Sequence, residues 1–340
     1  MREHFKSIDI LRGLASLAVV LAHFSNNALP VLQPNPLGPV FVFGLNGVQV
    51  FFVISGFIIP YSLTRSGYAL NNFFPYMSKR FLRICPVSYV AMFLSIALHF
   101  LAIYLINRPI RGEEWPGMGF PSLISNATYT SPYFKIFYFN PVVWTLLIEF
   151  QFYILIGIAL PFLLKQKKEV VFCCLCVLLI FFQLPFLSFF SYGSYFVLGM
   201  TLFFYGEKLL DAKLHFLLLT FALAVALYSQ GIRECCAGLI AVLFLKYVKS
   251  SNRVLVFLGR ISFSLYLSHL FFGFCAEIVT KKMNVMPESE FSKACMLFVY
   301  VLGALIFASA FYWLIEKPFT RLSQKIKWEP VPKYVSAPGI

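Results

Sequence analysis

IDILRGLASLAVVLAHF, residues 8–24, is an apolar run interrupted by Asp9, Arg12 and His23. Continued to residue 28, it reaches the roughly 20 residues that an α-helix needs to cross a hydrocarbon core. Arg2 and Lys6 precede it as they would a signal peptide, but the ionisable residues within it and the lack of a small-residue cleavage site identify a retained span. At 3.6 residues per turn, Arg12 and His23 fall about three turns apart on one face, separated by about 16 Å. A single helix thus carries a cation near one end and an imidazole near the other.

Runs of this kind recur along the chain, near 8–28, 41–63, 84–106, 142–164, 170–187, 189–206, 214–230, 235–249, 254–278 and 294–316. The 340 residues are 60% hydrophobic and 12% charged, with 41 Phe and a mean hydropathy of +0.80. An ordinary water-soluble domain is about 25% charged, so a soluble enzyme is excluded. The predicted fold is an all-α polytopic transmembrane bundle of about ten spans in the cell membrane, inner or plasma. Gln183 and Pro185, followed by Leu187 and Ser188, leave open whether spans five and six are two helices or one broken helix.

Positive charge orients the bundle. With ten spans and a cytoplasmic N-terminus, 21 of the 28 Lys and Arg fall on the cytoplasmic side, as membrane proteins prefer. Both termini are therefore expected inside. The net charge of +14 then reads as a basic face against anionic lipid, without nucleic acid as a partner. The eight Cys lie almost entirely in apolar runs without zinc or redox spacing, and are expected to pack as small hydrophobes. No metal site is expected. The long outer loop, about 107–141, holds Trp115, Tyr129, Tyr133, Phe134, Phe137 and Tyr138, which could stack on sugars or form an interfacial belt. Asn126-Ala127-Thr128 has the form of a glycosylation acceptor. Residues 321–340 are expected to form a short, disordered cytoplasmic tail.

Ionisable groups inside apolar spans are costly, and each is a candidate for function. Arg12 has the competing role of a snorkelling interfacial cation, and His23 that of an interhelical hydrogen-bond partner. Arg80 and Arg83, at i and i+3, form a fork suited to phosphate oxygens, and equally a positive-inside anchor. Glu149 follows Trp144 in the fourth span, with Tyr153 one turn later, and needs a proton or a partner there. By depth, His23, Glu149 and His269 are expected to meet in the outer half, with Arg12, Arg80, Arg83 and Arg260 near the inner face. His99 and Glu277 read as structural. This sorting suits a donor with a phosphorylated head on the inside, with His23 as general base and Glu149 orienting it.

Six stretches, DILRGLASL (9–17), GVQVFFVISGFII (47–59), KRFLRICP (79–86), WTLLIEFQFY (144–153), LGRISFSLYLSH (258–269) and WLIEKPF (313–319), occur in the order seen in the acyltransferase 3 family, which this chain resembles from about Ile8 to Phe319. The resemblance implies a domain over residues 1–320 that moves an acyl group, commonly acetyl, from cytoplasmic acyl-CoA to a hydroxyl of an extracytoplasmic carbohydrate or lipid-linked glycan. Acyl-CoA would be a donor substrate and not a resident cofactor. By the same implication His23 is catalytic, Arg12 is its motif partner, Arg80 and Arg83 lie near the CoA, and Glu149 fills the family's acidic position. Taken with the depth sorting, His23 and Glu149 are expected to be catalytic, Arg12, Arg80, Arg83 and Arg260 to hold the donor, and Trp144, Tyr153, His269 and Glu316 to contact substrate or support the site. Phe150 stands where members often carry a second acidic residue. No fused soluble domain is expected after Phe319. A proton-coupled transporter using the same His, Glu and Arg groups is the rival reading.

Overall fold

The computed structural model describes residues 2–26, 28–106, 118–181 and 191–329. Among them every regular element is helical. In chain order these are α1 Arg2–Ser25, α2 Gly38–Phe41, α3 Gly47–Arg65, α4 Phe73–Ile106, α5 Phe120–Ala127, α6 Trp144–Leu163 and α7 Lys168–Phe181. They are followed by α8 Gly193–Gly206, α9 Ala212–Gln230, α10 Ile232–Tyr247, α11 Arg253–Arg260, α12 Ser262–Lys282, α13 Glu290–Phe311 and α14 Lys317–Lys325.

Seven stretches among the described residues are long and apolar enough to cross a membrane: Lys6–Ser25, Gly38–Arg65, Leu70–Leu105, Pro141–Leu163, Ala212–Gln230, Ser262–Lys282 and Glu290–Lys325. The chain is a multi-pass membrane protein. The other expected spans correspond to the shorter helices α7, α8 and α10, of 14, 14 and 16 residues. The expected turn or kink at Gln183 and Pro185 lies outside the described residues, as do Trp115 and residues 330–340.

Two expectations from the apolar runs are corrected. The run 254–278 is two helices, because the chain turns at Ile261 between α11 and α12. The stretch 321–329 is ordered: α14 continues to Lys325, and the Trp328 indole N–H donates to the Ser66 carbonyl at 3.2 Å while the Lys79 ammonium lies 5.2 Å from its ring centre.

The chain divides into two compact units, one of Met1–Phe51, Arg83–Leu147 and Tyr247–Arg321, the other of Phe52–Leu82, Ile148–Lys246 and Leu322–Ile340. In the first, α1 packs along α11, α12 and α13. Helices in lipid gain little from hydrophobic burial against one another, so close packing of small residues holds them together. Gly13 and Gly259 make the contact between α1 and α11: a Cβ on Gly259 would lie 2.0 Å from the Asp9 carbonyl oxygen, and one on Gly13 would lie 2.7 Å from the Gly259 nitrogen. The second unit repeats the device, since a Cβ on Gly56 of α3 or Gly199 of α8 would strike the opposing backbone at 2.1 Å. The first contact brings the Arg12 turn of α1 against the Arg260 end of α11.

Between α13 and α14 the helix widens into a π-turn over Tyr312–Glu316. Such turns re-aim side chains within an otherwise continuous helix. Here Glu316 is turned inward and buried, while Lys317 lies over the Trp313 ring at 3.3 Å.

Candidate active site

The last turn of α1 places His23 beside His269 of α12, with ring centres 5.3 Å apart and planes tilted by 37°. His269 is fully buried, and His23 is half-buried. The Nδ1 of His269 lies 2.8 Å from the Tyr266 carbonyl oxygen and 3.2 Å from that of Leu265. Carbonyl oxygens only accept, so Nδ1 carries the hydrogen and Nε2 keeps a lone pair. Hydrogen bonds tie this turn to the start of α6: the Asn140 amide donates to the Leu267 carbonyl at 2.9 Å, and the Tyr266 hydroxyl donates to the Val142 carbonyl at 3.1 Å.

The other end of α1 meets a charged cluster. Glu316 accepts from the backbone N–H of Ser264 at 3.1 Å and from its hydroxyl at 2.6 Å. Arg83 and Arg12 act on the same carboxylate electrostatically, and Arg12, Arg260 and Arg83 act on Asp9. A carboxylate sealed at 5% exposure is tolerable only with such donors and counter-charges. Arg12, Arg83 and Arg260, proposed together from sequence, thus share one cluster, and Glu316 joins them. Asp9 and Ser264 were missed as site residues. Asp9 was visible as a third charge in the first span, but nothing local marks Ser264.

In the second unit, Glu149 accepts from the Ser55 hydroxyl at 2.9 Å and hydrogen-bonds Tyr153 one turn along α6. Arg80 lies over the Tyr153 ring at 5.2 Å and over the Tyr76 ring at 5.7 Å. Depth counted from sequence separated Glu149 from Arg80. The structure instead joins them through Tyr153, because α4 begins at Phe73, about three turns before the expected span, and carries Arg80 well inside the helix. Ser55 and Tyr76 were not anticipated. Trp144 opens α6 in the first unit, and the next residue, Thr145, shares a 3.2 Å hydrogen bond with the Tyr266 hydroxyl.

The outer-loop expectations change. Asn126 is buried, donates to the Ser122 and Phe137 carbonyls and accepts from the Phe139 N–H. It organises the loop and is not accessible for glycosylation. Tyr129 is buried on Ser88, whereas Tyr133 and Phe134 are exposed. Glu277, read from sequence as structural, forms an ion pair with Lys281 at 2.6 Å. Among the described residues no group of three or more His, Cys, Asp or Glu is placed to hold a metal.

The family model described as an acyltransferase domain (acyltransferase 3) matches residues 5–313. The chain belongs to this family. The match includes α1 from residue 5 onward, both arginines of α4, Glu149 and His269, and ends just short of Glu316. Among relatives, 172 residues are 27% identical to the O-acetyltransferase OatA of Staphylococcus aureus (strain NCTC 8325 / PS 47), covering 48% of this chain and 26% of that protein. A 191-residue stretch is 29% identical to Nodulation protein 10 of Rhizobium leguminosarum bv. viciae, covering 48% of this chain and 47% of that protein. The chain thus matches about a quarter to a half of the length of these relatives. No solved structure matches.

Proposed function

We infer that this protein is a membrane O-acyltransferase that takes an acyl group, acetyl first among candidates, from cytoplasmic acyl-CoA and places it on a hydroxyl of an extracytoplasmic carbohydrate or glycolipid. The observation that carries this reading is the division of labour along α1. One end presents a half-buried imidazole backed by a second imidazole, and the other end lies in a cluster of three arginines. A guanidinium cluster suits the phosphates of a coenzyme head, while an imidazole near neutrality suits proton transfer from a hydroxyl. The similarity to the Staphylococcus O-acetyltransferase favours acetyl.

On this reading Arg12, Arg83 and Arg260 bind the donor head, with Arg80 alongside on the same helix. His23 takes the acceptor's proton, and Glu149, held by Tyr153, is the candidate acid of the second unit. The bundle lies in the cell membrane with both termini cytoplasmic, so donor and acceptor approach from opposite sides. Tyr133 and Phe134, exposed beyond α5, offer faces on which a sugar could stack.

The test is His23→Ala assayed by O-acetylation of envelope glycans in membranes supplied with labelled acetyl-CoA. Loss of transfer by at least about 100-fold is expected from removing a general base. Full activity in correctly inserted variant protein would sink the reading. Substrate flux that continues without CoA would favour the transporter alternative.

A further inference from the structure

His269 is sealed from solvent, yet its Nε2 has no hydrogen-bond partner among the described residues. Its Nδ1–H is engaged by two carbonyls three and four residues back on the same helix. The ring therefore cannot exchange its proton position without breaking both contacts, and the Nε2 lone pair stays bare. A bare acceptor in an apolar interior is costly. The neighbouring Phe24 ring, 6.1 Å away, has no donor to offer it, and the Tyr266 hydroxyl is directed to Val142. Among the described ring neighbours, His23 has a nitrogen to bring, with its ring centre 5.3 Å away.

The geometry points to His269 as the positioning residue of His23, whose ring N–H it accepts at Nε2. Two imidazoles joined by an N–H···N bond of about 3 Å have ring centres about 5 Å apart, and these centres stand 5.3 Å apart. A turn of the half-buried His23 ring brings a nitrogen into line. The bond then fixes which His23 nitrogen is free of hydrogen and steadies the imidazolium that forms in transfer, the part an aspartate plays beside other catalytic imidazoles.

This inference rests on the acyl-transfer reading. In that step the acceptor oxygen attacks the thioester carbon, and its proton moves to the free nitrogen of His23. The C–O bond forms, the C–S bond breaks, and His23 returns the proton to the leaving thiolate. His269 keeps its Nδ1 proton throughout. Being closed to solvent, it touches neither substrate.

The experiment compares wild type, His269→Phe and His269→Gln in native membrane vesicles that retain their envelope glycans, following thiol release from acetyl-CoA. His269→Phe is expected to lower kcat about 100-fold with the KM for acetyl-CoA within about twofold. His269→Gln, whose amide oxygen can stand where Nε2 stands, is expected to remain within about tenfold of wild type. Nitrogen-15 spectra of histidine-labelled protein supply a readout independent of turnover: one tautomer at His23 in wild type and Gln variant, a mixture in the Phe variant. A Phe variant with wild-type kcat, or Gln and Phe variants that fall together with the His23 signal unmoved, overturns the inference. Should wild type release no thiol, the acyl-transfer reading fails, and the His23 spectrum alone decides the pairing. If the Phe variant does not fold, His269→Met replaces it in both measurements.

Discussion

Glu316 and Glu149 are both carboxylates in apolar helices, and each accepts from a serine hydroxyl on a neighbouring helix. Their surroundings then diverge. Glu316 is sealed, takes two bonds from Ser264 and lies in the field of Arg12 and Arg83. Glu149 is half-buried, with the Ser55 hydroxyl and Tyr153 against it and Arg80 on the Tyr153 ring. A carboxylate enclosed by donors holds structure, because removing it strands buried charge; one with an open side can still meet a substrate. The acid of the first unit is thus closed in by donors, and that of the second keeps an open side.

The sharpest way to break this comparison is Glu316→Ala. It strands the Ser264 N–H and deprives two guanidinium groups of a counter-charge, and is expected to destabilise the protein by about 3–5 kcal/mol, read as loss of monodisperse protein and a lowered Tm in detergent. If Glu149→Ala destabilised as much, the distinction would collapse. Next in size is Gly259→Ala, which must part α1 from α11 because the new Cβ would meet the Asp9 carbonyl at 2.0 Å. A loss of about 1–3 kcal/mol is expected by overpacking, visible in the same melt, with Gly56→Ala comparable in the second unit.

Glu149→Gln sharpens the other side of the comparison. Stability is expected to change by less than about 1 kcal/mol, while acetyl transfer falls on the order of 100-fold; a variant that melts early with unchanged kcat would reverse the assignment. Ser55→Ala, which removes one hydrogen bond to that carboxylate, should cost about 1 kcal/mol or less in the melt.

The smallest effect concerns Asp211, a carboxylate outside the spans. It caps α9 by accepting from the Leu214 N–H at 2.9 Å and pairs with Lys168 at 2.6 Å. The Leu214 N–H first, and Lys168 after it, hold the carboxyl below its ordinary value of 3.8. Its contribution is thus complete above that value and lost as pH falls through the lower folded-state value. Tm measured between pH 6 and pH 3 is expected to fall slightly less in Asp211→Asn, which still caps.

The spans themselves were legible because hydropathy is a local property. Arg12 and His23 were legible for the same reason, as costly residues in one apolar run. The break at Ile261 was not. No side chain near it caps α12, and the carboxylate that receives the Ser264 N–H comes from 52 residues away. A helix start whose cap is tertiary leaves no mark in its own stretch of sequence. His269 was visible as an ionisable residue at a suitable depth, but its fixed tautomer depends on helical carbonyls and its neighbour on packing. Depth counting failed for Glu149 and Arg80 because it assumed that α4 starts where the apolar run starts, whereas the helix begins at Phe73.

A helix that crosses a membrane ordinarily cannot gain or lose a residue without turning every later side chain by about 100°. The wide turn at Tyr312–Glu316 is a place where this one can. Removing one residue there would close the turn to regular helix and leave α13 and α14 facing as they do. Related chains compared with this one should therefore be aligned with a gap permitted at that point, and the length of the segment, more than the letters in it, would record whether the carboxylate still reaches across to cap its neighbour.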